Sequence, residues 1–201
     1  MFVDDLLWAG NSTVAEIINK FKKIFHIGTE NHKSFIYIGI NLQQNDDKSI
    51  TIDQSTYTQS IQTIELTKEQ NADPHRKVTE KERSSIRKAL GQMNWLSNIS
   101  RPEISYQVSS ISSRIKEATI SDIKEINKLI KFVKENKGFI TFPSLHIPSI
   151  KIGMYSDASF NNLSNGASQG AHIIMLMDKN NQSCPLSWKS RKVRRIARST
   201  L

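Results

Sequence analysis

Two adjacent carboxylates near the start of the chain are its sharpest chemical feature. Asp4 and Asp5 lie between the hydrophobic pairs Phe2-Val3 and Leu6-Leu7. Because these flanks are too short for anything but strands, the pattern predicts a β-hairpin with both acids at its tip. Two neighbouring like charges repel, and a divalent cation such as Mg²⁺, which takes oxygen ligands, would relieve that repulsion. A solvated Asp-Asp turn is the alternative interpretation, since Asp favours turns.

A third acid, Asp157, follows a strand pattern. Residues 150–155 alternate in polarity and lead into Ser156-Asp157-Ala158-Ser159. We expect Asp157 at the C-terminal end of this strand, where a carboxylate could bind a metal ion from a rigid element. The alternative is an Asp that ends the strand and caps the following turn.

A basic run follows near the end of the sequence. Residues 189–198 contain six Lys or Arg residues and no acid. Such a run suits contacts to phosphates, which give affinity without reading base sequence. A solvated tail is the alternative. The six residues are Lys189, Arg191, Lys192, Arg194, Arg195 and Arg198.

The composition narrows the class of protein. The 201 residues include 28 Lys+Arg and 19 Asp+Glu, a formal net charge of +9, and 37% are hydrophobic, which is enough for a packed core. No apolar run approaches the ~18 residues of a membrane-spanning helix, so we expect no membrane partner. Two early acids argue against a secretory signal, and a single cysteine excludes a disulfide framework. The charge favours a polyanionic partner.

The elements that would position these residues begin with a helix. A capping box at Thr13 opens it, and Gly28 lies where a C-terminal glycine would. Residues 35–42 are rich in β-branched and aromatic types and predict one strand, which a turn at 45–48 joins to a second strand at 50–52. A short helix containing Tyr57 is expected next.

The middle of the sequence predicts a helical bundle. Residues 67–77 are polar and contain a proline, which favours a loop. A second capping box at Thr79 opens a helix, Pro102 starts another, and Thr119 or Ser121 caps a third that ends at Gly138. Their apolar stripes predict a bundle over residues 79–137.

The last part predicts a β-meander. Strand patterns cover 150–155, 171–177 and 185–188, separated by a Gly/Asn/Ser-rich turn and a further turn. We expect an open sheet of three strands that leaves an apolar face and an unpaired edge.

In this order, the motifs resemble the Pol polyprotein of copia-type LTR retrotransposons, from the active-site hairpin of the reverse transcriptase to the start of ribonuclease H. Phe2-Val3-Asp4-Asp5-Leu6-Leu7 with Ala9-Gly10 is similar to the Tyr/Phe-x-Asp-Asp signature of these polymerases. Segment 35–40 resembles the following palm strand, and 52–57 the entry to the thumb. Segments 90–96 and 101–104 resemble thumb helices, and segments 155–159, 168–170, 185–190 and 198–201 resemble the first ribonuclease H strands.

The resemblance implies an α+β fold with a partial polymerase palm, a helical thumb bundle and an incomplete ribonuclease H-like mixed sheet. It divides the chain into the end of the palm (1–47), a thumb-like region (48–117), a connecting helix and linker (118–149), and the first part of ribonuclease H (150–201).

The resemblance also implies two-metal chemistry with Mg²⁺ in both parts. Asp4 would be the main ligand of the polymerase hairpin with Asp5 beside it, and Asp157 would be the first ribonuclease H acid. The family's other carboxylates lie before Phe2 and after Leu201 in the pattern. We therefore expect these 201 residues alone neither to polymerise nor to cleave.

The implied partners are a hybrid of RNA template and DNA primer and the rest of the Pol polyprotein, in a cytoplasmic virus-like particle or the nucleus. A non-catalytic binding module for RNA–DNA hybrids and a decayed retroelement relic are the alternatives. The residues expected to contact phosphates are Arg83, Arg87, Lys88, Arg101, Lys189, Arg191, Lys192, Arg194 and Arg195.

Overall fold

The computed structural model describes residues 6–160 and 166–193. Within these ranges the chain forms helices and strands that fall into two antiparallel sheets and a helical core. In chain order they are α1 (Ser12–Ile24), β1 (Ser34–Tyr37), β2 (Ile40–Gln44), β3 (Ile50–Asp53), α2 (Ser55–Ser60), α3 (Lys68–Ala72), α4 (Glu80–Ile99), α5 (Ser105–Ser113), α6 (Ile120–Glu135), β4 (Phe139–Phe142), β5 (Lys151–Ser159), β6 (Gln169–Met177) and β7 (Ser183–Lys192).

Strand order confirms the predicted α+β class. The first sheet has the order β1-β2-β3-β4 and the second has the order β5-β6-β7. Strand β4 returns to pair with β3 after the whole helical region, with Ile140 opposite Ile52. The first sheet therefore combines residues from both sides of the bundle.

The single strand predicted over 35–42 is wrong. The chain reverses there in a tight hairpin, in which Tyr37 pairs with Ile40. Ile38 and Gly39 form the turn with φ angles of 50° and 73°, as a type I′ turn requires. A β-branched residue rarely adopts a positive φ, so the residue type at position 38 does not predict a turn there. The next hairpin, between β2 and β3, is confirmed.

Helix α1 differs from its prediction at both ends. Its cap is Asn11, whose side chain accepts the Val14 N–H at 3.4 Å, so the capping box predicted at Thr13 is not formed. Phe25 takes an extended conformation and ends the helix before Gly28. None of the thirteen residues of α1 is buried, although Phe21 and Phe25 stack at 4.5 Å.

The segment predicted as a loop over 67–77 contains the short helix α3. Thr67 caps it in a capping box, in which the Thr67 hydroxyl accepts the Gln70 N–H and the Gln70 side chain accepts the Thr67 N–H. Five helical residues between polar neighbours carry no apolar stripe, so periodicity could not reveal α3.

The bundle prediction is confirmed. Thr79 and Glu82 form the predicted capping box at the start of α4, and Thr119 caps α6 with Asp122. The third helix ends at Glu135, before Gly138. The buried side chains of α4, α5 and α6 form one core: Ile86, Ala89, Leu90, Met93, Leu96, Val108, Ile111, Ile120, Ile123, Ile126, Leu129, Ile130 and Val133.

The predicted meander is the second sheet, which packs against the bundle along β7. Trp188 donates from Nε1 to the Ser97 carbonyl oxygen at 2.6 Å. The opposite edge strand, β5, exposes its apolar side chains, and Ile152 is 72% exposed. The expected apolar face and unpaired edge are therefore observed among the described residues.

A buried carboxylate fixes the turn between β6 and β7. Asp178 accepts the backbone N–H groups of His146, Asn180 and Gln182 at 2.8, 2.8 and 3.1 Å. The His146 hydrogen bond contributes most to lowering the pKa of Asp178. This contact ties the connector before β5 to the β6–β7 turn at the same end of the sheet.

Candidate nucleic-acid interface

Four of the predicted site residues lie outside the described residues. Asp4 and Asp5 precede residue 6, and Arg194 and Arg195 follow residue 193. The hairpin with two acids at its tip therefore stays a prediction.

Asp157 lies on β5, two residues before the end of the strand. It pairs with Ala171 on β6, which pairs in turn with Ser190 on β7. The side chain is exposed, and its Oδ1 accepts the N–H of Ala158 at 2.9 Å. The carboxylate is thus accessible from solvent on a strand, with one oxygen occupied by local backbone.

The strand register separates the predicted basic residues onto two faces. Side chains alternate along each strand, and residues opposite one another share a face. Lys192 pairs with Gln169, two residues from Ala171, and therefore shares the face of Asp157. Lys189 and Arg191 lie on the other face, where Lys189 is opposite His172.

A metal ion would find one candidate ligand on this face. Between residues 6 and 160 and between 166 and 193, no group of three or more His, Cys, Asp or Glu side chains could hold a metal ion. Asp157 has an exposed carboxylate, which is the type of oxygen ligand that Mg²⁺ prefers. It could therefore supply one ligand to a metal site that has further ligands.

Arg83 and Arg87 on α4 are paired with an acid of their own helix. They donate to the carboxylate of Glu80 at 2.6 and 2.8 Å. The hydrogen bond from Arg87, with the charge of Arg83, lowers the pKa of Glu80. Lys88, one residue after Arg87, is exposed and forms no ion pair within the described chain. Lys88 is therefore better placed than either arginine to reach a phosphate.

Arg101 is buried in the interior of the fold. Its residue is 3% exposed, Nε donates to Glu103 at 2.5 Å and Nη1 donates to the Val133 carbonyl at 3.0 Å. The guanidinium also lies 5.8 Å from the centre of the Phe132 ring. Because Arg101 is buried and its Nε and Nη1 already have partners, we leave it out of the interface proposed below.

Sequence reasoning missed two grooves beside segment 60–76. The larger has a volume of about 1010 Å³ and lies between this segment and α4. Arg76 crosses it to donate to Glu82 at 2.5 Å, and this hydrogen bond is the largest contribution that lowers the pKa of Glu82 to about 2. Three further acids line this groove: Glu65, Glu69 and Asp73.

The smaller groove lies between segment 64–71 and α6. Its volume is about 290 Å³, and three lysines of α6 line it. They are Lys124, Lys128 and Lys131, at positions i, i+4 and i+7 of one helix face. This spacing is visible in the sequence, but the opposite wall comes from a segment about 60 residues earlier.

Comparisons with known proteins give one distant relationship. No family model matches the chain. It is 22% identical over 213 residues to a Saccharomyces cerevisiae (strain ATCC 204508 / S288c) protein named "Putative transposon Ty5-1 protein YCL074W". The alignment covers 98% of this chain and 66% of that protein, so the chain spans somewhat less than two thirds of its relative. The chain is therefore distantly related to a transposon protein.

No helix among residues 6–160 and 166–193 is both long and apolar enough to cross a membrane.

Proposed function

We propose that the chain is part of a copia-type retrotransposon Pol protein whose whole form is an RNA-directed DNA polymerase with ribonuclease H. The observation that carries this proposal is the alignment with a transposon protein over 98% of the chain. The ordered motifs at residues 2–7, 90–104 and 155–159 add the polymerase and ribonuclease H assignments.

The observed architecture is compatible with this assignment. Three strands of the first antiparallel sheet precede the helical bundle, its fourth strand follows the bundle, and the three-stranded antiparallel sheet comes last. This order along the chain is compatible with the proposed palm, thumb and ribonuclease H parts. Asp157 is exposed on the first strand of the second sheet. An accessible acid on a paired strand is what a ribonuclease H metal ligand requires.

The proposed chemistry depends on convergent acids. Two Mg²⁺ ions about 4 Å apart would activate the attacking oxygen and stabilise charge on the phosphate. Asp4 and Asp5 would hold metal in the polymerase part, and Asp157 in the ribonuclease H part. One or two carboxylates cannot hold both ions against hydration. We therefore infer that residues 1–201 alone bind an RNA template–DNA primer hybrid without reacting on it.

A nucleotide-incorporation assay tests this inference directly. Purified 1–201 with Mg²⁺ and a primed RNA template should extend no primer. Extension that disappears in Asp4→Asn would show that the chain is a complete polymerase and overturn the inactivity claim.

A binding assay with an RNA–DNA hybrid tests whether the hybrid is the partner. The wild-type chain should bind an RNA–DNA hybrid with an affinity that falls as salt rises, because phosphate contacts release counterions. Lys189→Gln with Arg191→Gln should weaken binding, whereas Lys20→Gln with Lys23→Gln on α1 should not. Equal binding by both double variants would remove β7 from the interface.

A non-catalytic binding module is the second candidate, and the formal charge of +9 favours it over an inert relic. The reading frame on either side of the coding sequence distinguishes these candidates from a fragment of an active enzyme. A frame that adds an Asp-bearing strand before Phe2 and a Glu after Leu201 favours the enzyme, and stop codons on both sides favour the relic.

A further inference from the structure

We propose that the groove between α6 and segment 64–71, called here the lysine groove, binds the backbone of single-stranded nucleic acid. The proposal rests on the proposed function only for the choice of nucleic acid as the polyanion. Its geometry stands on the contacts of Lys124, Lys128 and Lys131.

The three lysines form one continuous stripe. At 1.5 Å of rise per residue, the stripe from Lys124 to Lys131 is about 10 Å long, and at 3.6 residues per turn it is confined to roughly 60° of the helix surface. A single strand carries one phosphate per nucleotide, and its flexible backbone can adjust the spacing between neighbouring phosphates. A strand running along α6 would therefore bring about three phosphates to three ammonium groups.

These charges are not neutralised within the described chain. Lys128 and Lys131 are exposed and form no ion pair with any described acid. Glu125, the acid beside Lys128, is bound to Arg114 instead. Glu135 lies on the same face one turn beyond Lys131 and bounds the stripe at that end.

Lys124 is held over the groove. Its Nζ donates to the Asn71 carbonyl oxygen on the opposite wall at 2.9 Å. A lysine ammonium has three donors, so two remain for an anion. The contact places the charge across the groove before a ligand arrives, which reduces the ordering cost of binding.

The floor of the groove is rigid and partly apolar. Ile64 and Leu66 pack against the helical core and are half-buried. Asn127 fixes the floor, because its side chain accepts the Ile64 N–H and donates to the Ile64 carbonyl, both at 2.8 Å. One donor and one acceptor of the amide are thereby occupied, which fixes its orientation. Recognition would come from charge and from apolar contact with a sugar or base face.

The charge distribution across segment 64–71 favours an anionic strand over other ligands. The larger groove on the other side of this segment is lined by acids such as Glu65 and Glu69 together with basic residues, whereas the smaller groove is lined by three lysines and no acid. With a volume of about 290 Å³, the smaller groove admits a single strand, while a duplex would contact only its rim. A strand that carries one phosphate per nucleotide matches this row of three lysines better than the carboxylates of an acidic peptide do.

Salt-dependent binding of the full 201-residue chain tests the proposal. The probe is a fluorescent 12-nucleotide single strand, as DNA and as RNA, titrated from 50 to 200 mM salt. The triple variant Lys124→Gln/Lys128→Gln/Lys131→Gln should bind at least 10-fold more weakly at the lower salt concentration. The slope of log K against log salt should become less steep by about 2, because each lost phosphate contact removes about 0.7 for a single strand.

The matched control removes the same charge elsewhere. Lys20→Gln/Lys23→Gln/Lys179→Gln changes three exposed lysines outside both grooves and should bind within twofold of wild type. Equal loss in both triple variants would mean that only net charge matters and would overturn the lysine groove. Circular dichroism and thermal melting check folding, and the single variant Lys128→Glu provides a second test if the triple variant does not fold.

Two further readouts complete the test. A polyglutamate peptide that binds the lysine groove more tightly than the oligonucleotide would make it a peptide site and overturn the proposal. Binding of the RNA–DNA hybrid by the Lys124/Lys128/Lys131 variant separates the two proposals. Loss of single-strand binding with hybrid binding retained supports the lysine groove, whereas a wild type that binds single strands but not hybrids contradicts only the proposed function.

Discussion

Trp188 of β7 donates its indole N–H to the backbone carbonyl of Ser97 in α4 at 2.6 Å. The two residues are 91 positions apart in the sequence. Ser97 is 3% exposed, so its carbonyl has little access to water. Gln169 on β6 adds a second contact, from Nε2 to the Ser109 hydroxyl of α5 at 3.3 Å. The sheet that carries Asp157 is therefore fastened to the bundle through β7 and β6, and β5 remains at the open edge.

Removing the indole donor should weaken this junction. Trp188→Phe keeps an aromatic ring but removes the shorter of two hydrogen bonds to the Ser97 carbonyl and leaves the longer one, from the Ser105 hydroxyl at 3.5 Å. The loss should cost about 1–2 kcal/mol of the free energy of unfolding. Urea unfolding measures the change. Leu186→Ala on the same strand is the control, since Leu186 is 53% exposed, and a loss as large as that of Trp188→Phe would show that the junction does not depend on this hydrogen bond.

A side chain at Gly138 should disturb the Arg101 network. A Cβ there would lie 2.3 Å from both Cδ and Nε of Arg101, whose guanidinium is held by Glu103 and Val133. Because Arg101 cannot move without losing these bonds, Gly138→Ala should destabilise the protein by roughly 1–3 kcal/mol.

The matched glycine control lies in the middle of α4. A Cβ at Gly91 meets nothing within 4 Å, so Gly91→Ala should stabilise the helix by about 1 kcal/mol. Thermal melting of both variants checks the pair. The steric account of Gly138 fails if the two alanines shift the melting temperature in the same direction.

The stability of the Thr79 capping box should depend on pH through Glu82. The Arg76 hydrogen bond, followed by those from Thr79, lowers the pKa of Glu82 from 4.5 to about 2. A carboxylate with a depressed folded-state pKa contributes stability that is fully present above about pH 4.5 and is lost as the pH falls towards 2. Urea unfolding between pH 2 and 7 measures this loss.

The variant Glu82→Gln should reduce the slope of stability against pH over that range. It should also lower stability at pH 7 by about 1–2 kcal/mol through loss of the charged cap and ion pair. Glu16→Gln on exposed α1 serves as the control and should retain the wild-type slope. An unchanged slope in Glu82→Gln would mean that other carboxylates account for the acid sensitivity.

Replacing Ile38 in the β1–β2 turn by a residue that readily adopts a positive φ should stabilise the protein. Ile38 has a φ of 50°, a left-handed conformation that β-branched residues avoid and asparagine accepts. Ile38→Asn would create the Asn-Gly pair preferred in type I′ turns and should stabilise the protein by about 1 kcal/mol. Ile36→Asn, at a more exposed position of β1, should give no gain in a thermal melt. A destabilised Ile38→Asn would indicate that the exposed isoleucine packs in solution.

The bundle could be predicted from the sequence because local signals agree with one another there. The Thr79 capping box, the Pro102 start and three apolar stripes all specify helices, and the core forms where those stripes meet. The β1–β2 hairpin could not be predicted, because Ile38 contradicts the local preference for its own turn. Helix α3 has no apolar stripe to predict it.

The placement of some interface residues could also be predicted from the sequence, and that of others could not. Asp157 was predicted on a strand and is found on one, since alternation in residues 150–155 is a local signal. Arg101 could not be recognised as buried from sequence, because its partners Val133 and Phe132 come from another helix. The lysine groove likewise needs two distant segments to come together.

The pairing of β3 with β4 has a mechanical consequence. The chain leaves the first sheet after Asp53 and re-enters it at Phe139, directly opposite. Neighbouring strands are about 4.8 Å apart, so the bundle between them is suspended from two adjacent attachment points. Both ends of the bundle are therefore closed by one ladder, and loss of the β3–β4 pairing would release its first and last residues from the sheet together.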